Sequence, residues 1–162
     1  MLDAIFDAVL IGAGATAFLD LVSVARARLT RAPMPDYALV GRWLAYLTRG
    51  RFFHDPISKS APIEGESPIG WIAHYLTGIA FAAILLAVWP QWARQPTLVP
   101  ALIVGIGSVA APFLLMQPGM GAGLFARRTT NPNAARLRSL ITHAIFGVGL
   151  YAAGWAARLI EF

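Results

Sequence analysis

The chain has 162 residues, of which 57% are hydrophobic and 13% charged, with a formal net charge of +5 and a mean hydropathy of +0.62. An ordinary soluble domain is about half apolar and about a quarter charged, so long apolar runs separated by clustered charge exclude a water-soluble fold and indicate one integral membrane domain. The absence of cysteine removes disulfides, thiolate zinc sites, iron–sulfur clusters and cysteine nucleophiles, and the positive balance is read as orientation against anionic lipid, not as nucleic-acid binding.

The first apolar run covers residues 4–25. It is long enough for a hydrocarbon core that needs about 20 helical residues. The acidic start (Asp3, Asp7) has no basic region or small-residue cleavage site, so the run is expected to be a permanent helix and not a removable leader. Gly12, Gly14 and Ala15 make one face small. Asp20 lies inside the run, where a carboxylate is costly and is expected to face other helices.

Arg26, Arg28 and Arg31 close this run. Asp36 is placed to cap a short helix in which Tyr37, Val40, Leu44 and Leu47 share a face and Arg42 and Arg49 lie to the other side. The segment is too short and too charged to span, and reads as an amphipathic helix on the membrane surface. The following loop, with His54, Asp55, Glu64 and Glu66, is rich in proline and glycine and is expected to lack regular structure.

Ser67-Pro68 starts the second span, residues 69–89, which carries His74 and Tyr75 near its beginning and ends at an aromatic belt of Trp89 and Trp92. The third span, residues 100–116, is short and contains Pro112, which frees a backbone carbonyl and predicts a kink. Gln117-Pro118-Gly119 stops it. A loop with GMGAG and with Arg127, Arg128, Arg136 and Arg138 follows, and Asn131-Pro132-Asn133 predicts a turn and a helix starting near Ala134. The fourth span covers residues 140–160 and carries His143. The fold class is therefore all-α: a four-transmembrane-helix bundle with one short interfacial helix.

The loop between spans one and two and the loop between spans three and four share a side, and together they hold eleven of the thirteen basic residues. The positive-inside rule puts these loops in the cytoplasm and both termini on the periplasmic side. This topology places Asp20, His74 and His143 in one layer, roughly 5–8 Å below the cytoplasmic boundary at 1.5 Å per residue. Two imidazoles and a carboxylate suit a divalent metal such as zinc, or a proton relay. Tyr75, Met116, Gln117 and His54 are possible additions, with methionine softening the site toward copper. The bland alternative is that the three polar residues hydrogen-bond across helices and hold the bundle together. GMGAG resembles a phosphate cradle, but no strand precedes it and no Lys-Ser/Thr follows, so a flexible turn is the simpler reading. The four loop arginines either bind a lipid headgroup or serve as topology determinants beside anionic lipid.

The run MQPGMGAGLFARRTTNPNAARLRSLITHAIFGVGLYAAG resembles the C-terminal half of an uncharacterised bacterial membrane-protein family, the domain of unknown function 2938. GESPIGWIAHYLTGIAFA resembles its second span. With the Asp20 helix, the likeness covers nearly the whole chain. It implies a small bacterial inner-membrane protein of four helices and brings no catalytic residue. Two function classes follow. One is an accessory or assembly subunit that binds the bilayer and other membrane subunits or a second copy of itself. The other is a transporter or membrane enzyme using the Asp20, His74 and His143 layer for a proton, a small solute or a metal.

Overall fold

The computed structural model describes residues 2–160, and among these the chain is helical with no strands. The elements are α1 (Leu2–Thr30), α2 (Tyr37–Leu47), α3 (Glu66–Val88), α4 (Leu98–Gly107), the single turn α5 (Gln117–Gly119) and α6 (Pro132–Ile160). A π-helical turn, Pro112–Met116, lies between α4 and α5. The side chain of Asp3 falls outside the described residues.

Four helical stretches are long and apolar enough to cross a membrane: Ala4–Thr30, Glu66–Val88, Leu98–Gly119 and Pro132–Ile160. Each is longer than the apolar run that predicts it, because the bilayer dictates where apolar residues are needed and not where the backbone stops being helical. Arginine is a good helix former, so α1 passes through Arg26 and Arg28 and ends where Arg31 takes a left-handed φ of 55° ahead of Pro33. At α6 the expected start near Ala134 is corrected by two residues. Pro132 occupies the first turn, where its missing N–H is no loss, and Asn131 Oδ1 accepts from Ala134 N at 3.1 Å. Regular structure also begins earlier than expected in the loop before the second span: residues 66–68 already belong to α3, and Ile57–Lys59 form a 3-10 turn.

The third span departs from regular α geometry where proline requires it. Pro112 cannot donate to the carbonyl four residues back. Phe113 N still reaches Val109 O four residues back at 3.0 Å, and the turn then widens, so that Gln117 N reaches Pro112 O five residues back.

The chain packs as two compact units, each assembled from separated segments. Among the described residues, the first draws on 2–34, on Tyr75–Ser108 and on 141–160. It is a bundle whose core takes Ile11, Ala15 and Leu19 from α1, Ala82 and Leu85 from α3, Ala101 and Val104 from α4, and Phe146 and Leu150 from α6. Small residues set the helix spacing. A Cβ on Gly105 would fall on the Gly147 backbone, so α4 and α6 touch main chain to main chain.

The second unit draws on Pro35–His74 and Val109–Leu140. Here Asp36 caps α2 as expected, accepting from Ala38 N at 3.1 Å. The α2 helix crosses the start of α3 at Gly41 and Gly70, where neither position has room for a side chain. The loop after α2 is tied to the turn after α5: His54 N donates to Gly119 O at 2.9 Å and Ile57 N to Met120 O at 3.0 Å. The Trp43 ring lies over Gly119, and its N–H donates to Phe52 O at 3.1 Å.

Candidate functional site

In the first unit, the polar residues of the spans face neighbouring helices. The Tyr75 hydroxyl donates to Asp20 Oδ2 at 3.2 Å, linking α3 to α1. Sequence had marked both residues but had not paired them. His143 Nδ1 lies 2.6 Å from Ser108 Oγ, which also lies 2.6 Å from Gly105 O. A serine hydroxyl has one proton, and with that proton given to the Gly105 carbonyl the imidazole must donate through Nδ1–H. Ser108 is 2% exposed, so this three-membered chain between α4 and α6 is sealed at its centre. In the sequence Ser108 is legible only as a small residue beside two glycines. Its role depends on His143 arriving from 35 residues away.

In the second unit, the His74 ring stacks on Tyr37 with centroids 4.1 Å apart and planes 23° apart, and Trp71 meets both edge-on. His54 is 5% exposed, with Nδ1 2.8 Å from Ser60 Oγ and its ring tilted against Tyr46. Burial, reinforced by the positive charge of Arg51, holds its pKa below the ordinary histidine range. Gln117 Nε2 donates to Ser139 Oγ at 3.4 Å. Two buried polar atoms, His54 Nε2 and Gln117 Oε1, have no hydrogen-bond partner among the described residues. Met116 closes the π-helical turn and is half-buried.

Arg42 reverses an expectation. Its place opposite the apolar stripe of α2 predicts a solvated arginine, yet it is 8% exposed and grips Glu66 in a bidentate pair. Nε and Nη2 each donate to a carboxylate oxygen at 2.7 Å, and Nη1 donates to Ser60 O at 3.0 Å. Glu66 Oε2 also accepts from Ile63 N at 2.9 Å. The pair raises the Arg42 pKa above its ordinary value. Glu66 is thereby committed to α2. The physical reason is the Gly41–Gly70 crossing, which brings α2 so close to the start of α3 that Arg42 cannot reach solvent.

Of the loop arginines, Arg136 donates through Nε to Phe125 O at 2.8 Å and through Nη1 to Asn133 Oδ1 at 3.1 Å, so it stitches the loop to itself. Arg127, Arg128 and Arg138 are exposed and have no side-chain partner among the described residues. Among the described residues no group of three His, Asp or Glu side chains is arranged to hold a metal ion.

The outer surface of the long helices decides the class. Only 17% of the apolar window of α3 is buried, and Ile72, Leu76 and Val88 are each about three-fifths exposed at 60%, 59% and 58%. Leu21, Val99, Leu115 and Leu159 are exposed on the other long helical stretches. Water does not tolerate apolar surface on this scale and hydrocarbon does. The chain has the build of a multi-pass helical membrane protein. It belongs to the family described as protein of unknown function (DUF2938), whose sequence profile matches residues 9–157. No curated protein and no solved structure matches the chain.

Proposed function

We propose that this chain is a non-enzymatic accessory or assembly subunit of the bacterial inner membrane, working through contacts with other membrane subunits or with a second copy of itself. One observation carries this reading: intramembrane polar groups of the bundle are engaged in joining helices. Tyr75 and Asp20 tie α3 to α1, and the Gly105–Ser108–His143 chain ties α4 to α6. Polar groups that would be costly against lipid stabilise helix contacts when they pair. The rival reading gives Asp20, His74 and His143 to a metal or a proton path.

Elemental analysis of the purified protein, beside an Asp20→Asn/His74→Ala/His143→Ala variant, separates the two. The accessory reading expects no stoichiometric metal in either and a lower melting temperature in the variant. Stoichiometric metal that disappears in the variant would overturn it.

The same reading places the α1–α3 and α5–α6 loops in the cytoplasm and both termini in the periplasm, supported by the eleven of thirteen basic residues on that side. Because the chain has no cysteine, single introduced thiols report sidedness cleanly. A membrane-impermeant maleimide added to spheroplasts should label Gln95→Cys and spare Lys59→Cys until lysis. The reverse pattern would invert the topology.

A further inference from the structure

The second unit has an open, solvent-facing pocket of about 430 Å³ between the 3-10 turn at Ile57–Lys59 and the turn that follows α5. That size is within the range of small-molecule sites. One wall is apolar, from Leu39 and Ile57. Arg128, Ser58 and Thr130, all exposed, also line the pocket and supply a guanidinium and two hydroxyls. The Thr129 hydroxyl also borders it but donates to Ala126 O at 2.8 Å, so it has no proton to offer. Among the described residues no carboxylate lines the space. The sequence has no Asp or Glu between Glu66 and Glu161, and Glu66 is held by Arg42.

Gly121 lines the pocket, and the turn from it to Arg128 is held in uncommon conformations. Gly121 and Gly123 have φ of 96° and 74°, and a Cβ on Gly121 would lie 2.6 Å from His54 O. Phe125 and Ala126 take left-handed φ of 51° and 56°, which non-glycine residues rarely adopt. Specific bonds hold them there: Arg136 grips Phe125 O, and Arg128 N donates to Ala122 O at 2.8 Å. The second bond fixes the Cα of Arg128 at the cavity edge. Strained backbone pinned in this way is characteristic of binding turns.

We infer that this cavity binds a phosphate group, with Arg128 pairing bidentately to its oxygens, Ser58 and Thr130 donating hydroxyl protons, and Leu39 and Ile57 covering the apolar part of the molecule that carries it. Arginine's planar fork matches two phosphate oxygens, and hydroxyls complete the set without introducing negative charge. The chemistry is shared by a phospholipid headgroup and a soluble phosphorylated metabolite. The inference rests on the cavity and not on the accessory role.

The test measures binding of two probes to the full-length protein. Phosphatidic acid is offered in phosphatidylcholine nanodiscs and counted by native mass spectrometry. Inorganic phosphate is titrated in detergent by calorimetry. At least one probe should bind at one per chain. Loss of a charge-assisted bidentate contact should weaken it about tenfold or more in Arg128→Ala, with a smaller loss in Thr130→Val. Arg138→Ala removes an equally exposed arginine outside the cavity and should change affinity less than about twofold. Binding of phosphatidic acid without phosphate assigns the lipid source, and competition by phosphate assigns the soluble one. Failure of both probes, or equal weakening by Arg138→Ala, overturns the inference. Circular dichroism melts of each variant without probe exclude loss through misfolding.

Discussion

Arg42→Ala is expected to lower stability by about 3–5 kcal/mol, the range found when one partner of a buried ion pair is removed. Arg42 supplies three hydrogen bonds to the second unit, two to Glu66 and one to Ser60 O. The side chains of the pair are only 10% and 16% exposed, so solvent does little to replace the lost partner. After truncation the Glu66 carboxylate keeps the Ile63 N–H alone. The thermal midpoint in one fixed detergent reads the effect. A double variant, Arg42→Met/Glu66→Leu, should recover much of the loss, because two apolar side chains remove the uncompensated charge. An unchanged midpoint in Arg42→Ala would mean that the pair is solvated and contributes nothing.

The second large effect concerns two glycines two residues apart. Gly105→Ala inserts a methyl group into the Gly147 backbone, which cannot rotate away as a side chain can. The helices must separate, and the expected loss is about 1–3 kcal/mol or more. Gly107 has no atom within 4 Å of the added Cβ. Gly107→Ala should therefore stabilise the chain by about 0.5–1 kcal/mol through helix propensity alone. Opposite signs in the two midpoints are the expected result. A loss in both would attribute the effect to glycine in a membrane helix generally and not to the α4–α6 contact. The Gly105 variant should also disturb the adjoining Ser108–His143 link, because Ser108 Oγ donates to the Gly105 carbonyl.

The sequence by itself determined the helices and their character. Four apolar runs must become helices in hydrocarbon, since a spanning backbone has to satisfy its own hydrogen bonds. Asp36 announced a cap, and Pro112 announced a departure from regular α geometry in the third span, because both act on backbone groups within a few residues. The distribution of arginine between loops is likewise a local quantity. Tertiary structure decided the rest. Arg42 belongs to the polar side of α2 by periodicity, and only the Gly41–Gly70 crossing encloses it with Glu66. Ser108 becomes a partner of His143 only when α4 and α6 meet over Gly105 and Gly147. The GMGAG turn lacks the flanking residues of a known phosphate loop. Its cavity exists because the His54–Ile57 strip pairs with Gly119 and Met120, more than 60 residues away in sequence. Periodicity and capping record how a segment meets its immediate surroundings. A binding cavity needs surfaces from separate segments at a fixed distance, and that distance is set by which small residues let two backbones approach.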